Sequence, residues 1–507
     1  MEIKKTAEEI WREFERGVDF NNGINLYENV ERNENFYNDR QWEGLNAPDL
    51  DKPVFNFLKP VVNYYVSTLI SDDITANIEL CHEFDEGDAL AVPGIVSGEV
   101  ASVIEGENIK TKLRKIIRNC AVDGDACMYF YFQPSEKGNF WTVGDIKSEI
   151  VDNTSVIFGN PCESDVQKQP YILIAYRRLL GDVRDEAGEN GVDPETIVPD
   201  DCPYYSGSER DLEQSYVTVI LKMWKENGTV KMTKITKNTV LKKEVDTEFN
   251  IYPLAYFSWE AVKNCYHGAS PLTGKIHNQT FVNKLYAMAM EYTKKMAFPK
   301  LLYDRTKIPE GVNNAVGKAI AVTGSPADAF FADFKSADFS SQVTELINAT
   351  ITQTKEMMGA YDAALGNVAP DNTSAIIATQ KAAAAPLDIQ KMDYYAFVED
   401  CVRIIIELMR VCYGVKNTVY TDENGDKVAV CFDFSTLGKL DWRLKVDIGQ
   451  SSYWSEILQI QTLDNLMKEG VIPGGDIYLE SLPDGYVKNR KAIIEKIRER
   501  EEGNSGE

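Results

Sequence analysis

The stretch from Gly311 to Lys318 is the part of the chain closest to a phosphate-binding loop. Such a loop has the pattern GxxxxGK[ST], in which backbone amides and the lysine hold nucleotide phosphates and the hydroxyl binds Mg²⁺. Here five residues rather than four separate Gly311 from Gly317, and Ala319 stands at the magnesium-ligand position. The preceding residues, 306–310, do not form the apolar strand that feeds such a loop. We therefore interpret the match as accidental.

The other side chains suited to chemistry do not form a site either. His82, His267 and His277 lack the spacing of metal ligands, and the stretch from Gly268 to Leu272 lacks the second glycine of a nucleophile elbow. The nine cysteines are scattered and include no CxxC pair, which favours reduced thiols over disulfides or zinc ligands. Carboxylates are abundant, but none has an apolar setting that would separate an acid from a base. The sequence predicts no catalytic residue, no metal site and no cofactor.

Length and charge limit the class of protein. A chain of 507 residues suggests two or more packed subregions. It has no apolar run of about 18 residues and no signal-peptide profile, so we expect synthesis in the cytoplasm and no membrane partner. The net charge of −25 argues against a high-affinity DNA binder, whereas acidic walls suit a pore through which DNA slides. Residues 275–355 carry ten Lys/Arg against seven Asp/Glu, which makes this the least acidic region.

The elements from Gly274 to Met409 have an unusual order. Apolar residues at helical spacing predict a first helix to Phe298, ended by Pro299, with a β-like insert after it. Ser340 opens a second helix, for which Gly366 is the predicted end. A loop rich in turn residues follows, and then a long helix with Pro386 inside it, where a kink is expected. The apolar positions are Phe281, Leu285, Met288, Tyr292 and Met296 in the first helix and Leu346, Ile347, Ile351, Met357, Met358, Tyr361 and Leu365 in the second.

Strands are predicted elsewhere. Residues 120–260 have the pattern of a mainly antiparallel sheet region, to which Val428–Phe434 and Leu444–Asp447 are expected to return. A short strand is also predicted at Ala319–Val322. The segment Asp182–Glu213 is strongly acidic, and we expect a solvated, mobile excursion. Helices are predicted at 453–468 and 488–500, before a polar tail.

Taken together, these features resemble the portal proteins of tailed double-stranded-DNA bacteriophages. Two further stretches add to the resemblance: Tyr37-x-x-x-Gln41-Trp42 is similar to a signature of siphophage portals, and Val446–Glu456 looks like another family stretch. The resemblance implies an α+β portal fold with an α/β wing, a two-helix stem, a small α/β clip, a long kinked helix after a tunnel loop, and a helical C-terminal crown. The implied segments are the wing (1–270), stem helix 1 (271–298), the clip (299–339), stem helix 2 (340–365), the tunnel loop (366–376), the kinked helix with returning wing strands (377–450), and the crown with its tail (451–507).

The resemblance also implies a function without catalysis. A dodecameric ring at one vertex of the capsid would form the channel for DNA packaging and ejection. Its partners would be double-stranded DNA in transit, the terminase large subunit, a head-completion or adaptor protein, and the major capsid and scaffolding proteins. The tunnel loop would face DNA through Asn367, Val368, Asp371, Asn372, Thr373 and Ser374. The basic residues of the stem and clip, Lys294, Lys295, Lys300, Arg305 and Lys307, would guide phosphates or pair with acids of neighbouring subunits.

Two other classes stay open at the level of sequence. One is a nucleotide-driven packaging motor subunit, against which the broken glycine spacing and Ala319 count. The other is a capsid-associated scaffold protein without a channel, which would have the mass of one chain in solution.

Overall fold

The computed structural model describes residues 6–48, 50–70, 73–80, 92–134, 144–200, 215–297, 301–309, 321–325, 331–333, 341–360, 385–421, 427–439, 442–449, 453–468, 475–482 and 493–494. This part of the chain mixes helices and strands. The helices are α1 (Ala7–Gly23), α2 (Leu26–Tyr37), α3 (Leu58–Leu69), α4 (Val92–Gly106), α5 (Ile109–Asp123), α6 (Leu180–Glu189), α7 (Ile276–Ala297), α8 (Ser341–Met357), α9 (Asp388–Cys412), α10 (Tyr453–Lys468) and α11 (Gly475–Ser481). The strands are β1 (Asp73–Leu80), β2 (Asp125–Pro134), β3 (Gly144–Val151), β4 (Val156–Phe158), β5 (Tyr171–Leu179), β6 (Tyr216–Glu226), β7 (Thr229–Ile235), β8 (Val240–Asp246), β9 (Leu254–Ser258), β10 (Leu301–Tyr303), β11 (Phe331–Asp333), β12 (Val415–Thr421), β13 (Lys427–Asp433) and β14 (Trp442–Gly449).

A five-stranded antiparallel sheet, in the order β4-β5-β6-β7-β8, carries a helix on one face. Successive side chains of a strand point to opposite faces, so Leu173 and Ile220 face α1. On the other face, Ile172, Ile174 and Leu221 belong to the main core. Helix α1 begins with a capping box between Thr6 and Glu9. Glu13 of α1 and Lys222 of β6 form an ion pair between these layers, and both side chains are almost fully buried.

The largest core lies around a three-stranded antiparallel sheet, in the order β3-β2-β9. Helices α3, α4, α5 and α9 contribute buried apolar side chains to it. Phe257 of β9, for example, packs against the rings of Tyr394 and Phe397 on α9. The core contains residues from the predicted wing before residue 271 and from the segment after residue 376. The antiparallel strand pairing predicted within residues 120–260 is confirmed.

The late strands do not return to these two sheets, so that prediction is wrong. β13 pairs with β12 in a two-stranded sheet, and β14 pairs with β1 from Asp73↔Gly449 to Leu80↔Trp442. A strand can close a sheet with any partner that offers a free edge, and sequence pattern does not say which edge is free.

The prediction of a solvated, mobile excursion at Asp182–Glu213 is also wrong over its described part, which ends at Asp200. This part contains α6 and a 3₁₀ turn at Pro194–Thr196. Val183, Ala187 and Ile197 are completely buried there, in a small core of their own. Asp182, Asp185 and Glu189 lie on the outer side of the helix.

Other predictions are confirmed or fall outside the described residues. The helix predicted at 453–468 is confirmed with the same bounds, whereas of 488–500 only residues 493 and 494 are described. Residues 321 and 322 are not in a strand, so the strand predicted at Ala319–Val322 is wrong at its described end. No helix in the described ranges is long and apolar enough to span a membrane. The seven described cysteines, Cys120, Cys127, Cys162, Cys265, Cys401, Cys412 and Cys431, are free thiols.

Candidate functional site

Helices α7 and α8 form an antiparallel pair, with the start of α7 beside the end of α8. Asn278 donates a hydrogen bond to the hydroxyl of Thr354 (2.9 Å), and Thr354 is almost fully buried. Apolar contacts with the core involve Val282 of α7 and Ile347 of α8. The Asn278–Thr354 hydrogen bond therefore joins the start of α7 to the end of α8.

The buried side of α7 is partly polar. Gln279 and Asn283, one helical turn apart, are 0% and 2% exposed. The Gln279 amide accepts from the Phe57 amide (3.1 Å) and donates to the Phe55 carbonyl (2.8 Å). It also donates to Asn283 (3.1 Å), which in turn donates to Gln41 (2.5 Å). These side chains form a continuous amide ladder, which satisfies polar groups that would otherwise be costly to bury.

This ladder gives the Tyr37-x-x-x-Gln41-Trp42 stretch a structural role. The Gln41 amide donates to the Phe36 carbonyl (3.0 Å), and the Trp42 indole donates to the Pro53 carbonyl (2.8 Å). The extended chain before α3 is thereby held along α7. The stretch acts as a clamp that fixes the position of the first helix of the pair.

The exposed positions of the two helices include large apolar side chains among polar ones, such as Lys284 of α7 and Glu345 of α8. The stripe predicted on α7 contains Phe281 and Met288, and Met288 is 63% exposed. On α8, Leu346 is exposed and Met357 is 67% exposed. Other apolar side chains exposed in this region of the chain are Met290 of α7 and Ile389 and Met392 at the start of α9. Large apolar side chains that stay exposed in one chain can mark a surface that meets a partner, so these positions are candidates for an interface.

Helix α8 ends earlier than predicted. Its last residue is Met357 rather than a residue next to Gly366, because Gly359 adopts a left-handed conformation with φ +69°. The Gly359 amide bonds to the Glu356 carbonyl (3.0 Å) and the Ala360 amide to the Lys355 carbonyl (2.9 Å). These two bonds are a Schellman cap, which ends a helix at glycine.

Pro386 lies in a 3₁₀ turn, Ala385–Leu387, that leads directly into α9. The residues before this turn, 361–384, lie outside the described residues, so a kink in one continuous helix stays a prediction. All six residues of the predicted DNA contact, Asn367, Val368, Asp371, Asn372, Thr373 and Ser374, lie in the same range.

Three of the basic residues predicted for the stem and clip, Lys294, Arg305 and Lys307, have side chains in the described part. Lys294 pairs with Asp51 and lies 3.9 Å from Glu291, and the hydrogen bond to Asp51 raises the pKa of the lysine. Arg305 is exposed and Lys307 is half-buried, in a turn where the Lys307 carbonyl accepts from the Thr323 amide (2.9 Å). The side chain of Lys295 and the whole of Lys300 lie outside what the structure describes.

The insert between the two helices contains a small antiparallel sheet. β10 pairs with β11 from Leu301↔Asp333 to Tyr303↔Phe331. Asp304 ends the first strand, and its carboxylate accepts from the amide (2.9 Å) and hydroxyl (2.6 Å) of Thr306. The hydrogen bonds to Thr306 lower the pKa of Asp304. The Gly311–Lys318 stretch lies outside the described residues.

A basic groove on α5 was not found by sequence reasoning. It has a volume of about 620 Å³ and is lined by Arg114, Lys115, Arg118 and Asp152, among others. Arg118 forms the wall, where it pairs with Glu34 (2.7 Å). Lys110 to Arg118 supplies five Lys/Arg and no Asp/Glu in a chain of net charge −25, and this local bias was the available signal.

A buried polar network around His267 was also missed. Its Nδ1 lies 2.7 Å from a carboxylate oxygen of Asp125, and its Nε2 lies 3.1 Å from the side-chain oxygen of Asn21. Asp125 also accepts from Tyr256 and from the amide of Gly268 (3.0 Å). His267 and Asp125 are 2% and 1% exposed, so the network ties α1 to the three-stranded sheet. Within the described residues, no three His, Cys, Asp or Glu side chains could hold a metal ion together.

No protein-family model matches the chain, and no curated protein matches it significantly.

Proposed function

We propose that this chain is the portal protein of a tailed double-stranded-DNA bacteriophage. It would assemble as a dodecameric ring at one vertex of the capsid and form the channel for packaging and ejection of the genome. Support comes from the order of elements: an antiparallel helix pair, a small β insert between its helices, and a long helix that starts after Pro386. The virion would be its final location.

The observation that carries the proposal is the two-sided character of α7 and α8. Their inner sides are closed by the amide ladder and the Asn278–Thr354 bond, whereas their outer sides expose Met288, Leu346 and Met357. A ring of copies would bury these apolar side chains between neighbouring stems. The net charge of −25 suits a channel that does not bind the DNA it conducts.

Partners follow from the same assignment. The insert with the β10–β11 sheet would be the clip, which binds the terminase large subunit during packaging and a head-completion or adaptor protein afterwards. The outer surface of the wing would contact the major capsid and scaffolding proteins. Double-stranded DNA would pass the tunnel loop, in which Asn372 is one of the polar residues.

The first test is electron microscopy of the purified chain together with its mass in solution. Rings with a central hole and a mass many times 57.1 kDa are expected. The double variant Met288→Glu/Leu346→Glu should give folded single chains, because its new charges are solvated in one chain but buried in a ring. Val262→Glu, at another exposed apolar side chain, is the matched control and should leave the rings intact. Rings that tolerate both buried charges would contradict the stem assignment.

The other classes make different predictions for simple measurements. A packaging motor would hydrolyse ATP and lose activity with Lys318→Ala, whereas a portal would show no ATPase activity in either form. A scaffold protein without a channel would have a mass near 57.1 kDa at all concentrations. Asn372→Glu tests the loop separately, because it should impair packaging and leave ring assembly unchanged.

A further inference from the structure

The groove on α5 is a cationic surface on a strongly acidic protein. Arg114 and Lys115 are exposed on the rim, and neither forms an ion pair with another described residue. Below them, Arg118 is held by Glu34 and lies over the Tyr37 ring at 4.6 Å, so the wall of the groove is rigid. The groove therefore presents two available cations on a fixed base.

One carboxylate, that of Asp152, also lines the groove. Burial, and then the nearby charge of Glu34, raise the pKa of Asp152. Raising the pKa of an acid favours its neutral form. The two exposed cations of the rim, Arg114 and Lys115, outnumber this one carboxylate, so they can attract an anionic ligand outside the chain.

A complementary surface lies on α6 and the turn after it. Five exposed carboxylates occur within this short stretch, and none forms an ion pair within the described ranges. The helix that carries them is fixed from below, since Val183 and Ala187 are fully buried. On the inner side, Glu186 is neutralised by Lys234 (2.8 Å) and by Arg178. The exposed carboxylates are Asp182, Asp185, Glu189, Asp193 and Glu195.

The acidic residues of α1 are less available for such a contact. Glu8 lies 3.9 Å from Arg12, Glu9 is part of the capping box, and Glu15 accepts from the indole of Trp11 (3.0 Å). On α6 itself, no hydrogen bond or ion pair within the described residues uses the carboxylates of Asp182, Asp185 and Glu189, whereas in the turn after it Asp193 accepts from the Glu195 amide (3.1 Å).

We propose that the acidic surface of α6 in one copy of the chain docks on the basic groove of α5 in its neighbour. This inference rests on the proposed ring, for which it names a subunit contact outside the stem. The contact joins two different surfaces, so it is heterologous, and a heterologous contact repeated around a closed rotation forms a ring. Exposed ion pairs are weak singly, but the contact occurs once per subunit around the assembly.

The first experiment is a charge reversal followed by a charge swap. Arg114→Glu/Lys115→Glu should raise the protein concentration needed for assembly about tenfold, and Asp182→Lys/Asp185→Lys should do the same. Combining the two double variants should restore assembly, because the attraction is re-formed with opposite sign. Lys263→Glu, a reversal at another exposed lysine, is the control and should have no effect. Circular dichroism melting verifies that each variant folds.

The second experiment does not require ring formation. Equal amounts of ¹⁴N-labelled and ¹⁵N-labelled wild-type chains are mixed and treated with a carbodiimide, which joins a lysine to a carboxylate in direct contact. Mass spectrometry should find Lys115 joined to Asp182, Asp185 or Glu189, with one label on each side. Links from Lys115 only to other carboxylates, or only within one copy, would overturn the proposal.

The outcomes separate this inference from the proposed function. Rings without the mixed-label link, or rings that ignore the charge reversal, leave the portal assignment intact and exclude the docking. The link in a dimer or an open filament supports the docking and counts against the portal. Chains that stay single and give no mixed-label link exclude the docking and favour the scaffold protein without a channel over the portal.

Discussion

Gly359 and Pro386 are in direct contact, although the described chain between them stops at Ala360 and resumes at Ala385. A Cβ added to Gly359 would lie 2.9 Å from the Cβ of Pro386. The end of α8 and the turn before α9 are therefore packed against each other. Tyr65 of α3 fixes the same point, because its hydroxyl donates to the Met358 carbonyl (2.5 Å).

Gly359→Ala should destabilise the protein by about 1–3 kcal/mol, because alanine is strained at φ +69° and its methyl group would clash with the proline ring. Thermal unfolding monitored by circular dichroism measures the loss. Gly106→Ala is the control, since nothing lies within 4 Å of an added Cβ there. Equal melting temperatures for the two variants would contradict the packed junction.

The amide ladder predicts coupling between Gln41 and Asn283. Each replacement by alanine leaves a buried amide without its partner and should cost about 1–3 kcal/mol. The double variant should cost less than the sum of the two, with an interaction energy of about 1 kcal/mol. Denaturant titration of the four proteins of the cycle measures it. Strict additivity would mean that the clamp does not operate through this hydrogen bond.

Replacing one partner of the Glu13–Lys222 ion pair should lower the free energy of unfolding more than replacing both. Glu13→Gln leaves a buried lysine without its counter-charge and should cost about 3–5 kcal/mol. Glu13→Met/Lys222→Met removes both charges and should cost clearly less. Glu8→Gln changes net charge equally at an exposed position and serves as the control in the same unfolding experiment.

Glu107 predicts a dependence of stability on pH. Burial acts to raise its pKa, but hydrogen bonds from Lys112 (2.8 Å), Lys147 (3.0 Å) and the Ser148 amide outweigh burial and lower it from 4.5. A lowered pKa means that the stabilising contribution is complete above pH 4.5 and disappears as pH falls through the folded-state pKa.

Glu107→Gln should therefore cost about 2 kcal/mol at pH 7, and the difference from wild type should shrink below pH 4.5. Unfolding free energies measured from pH 7 to pH 3 provide the test. Glu105→Gln, at an exposed neighbour, is the control for the change in net charge. A constant difference across this range would exclude Glu107 as the group responsible.

Local signals predicted much of the fold. The helix at Tyr453–Lys468 follows from its apolar spacing, and β6 and β7 follow from strand-like runs on either side of a turn. That turn is Asn227-Gly228, in which both residues have positive φ as a two-residue hairpin requires. These elements depend on residues that are close together in the chain, so their type and position can be predicted from the sequence.

The predictions that failed concern contacts between residues far apart in the sequence. The apolar stripe on α7 predicted the helix, but it could not show that Gln279 and Asn283 would face inward, because their partners lie before α3. The acidic character of the α6 segment concealed Val183 and Ala187, whose one-turn spacing is enough to bury one side of a short helix.

The tunnel-loop residues of the predicted functional site lie outside the described residues, whereas Lys294 lies within them. Lys294 was expected to contact phosphate or an acid of a neighbouring subunit, yet in one chain it pairs with Asp51, which no local pattern would have connected to it. The basic groove around Arg114 went unnoticed for the opposite reason, since a charge count over the whole chain hid a bias confined to one helix.

The pairing of β1 with β14 sets the order in which the protein can fold during synthesis. Strand β1 ends at Leu80, but the residue opposite it, Trp442, is translated only after most of the chain. A ribosome adding about 5–20 residues each second would leave β1 without this partner for tens of seconds. Throughout that time the edge of the nascent strand can pair with another chain, so a chaperone that covers it would raise the yield of correctly folded subunits.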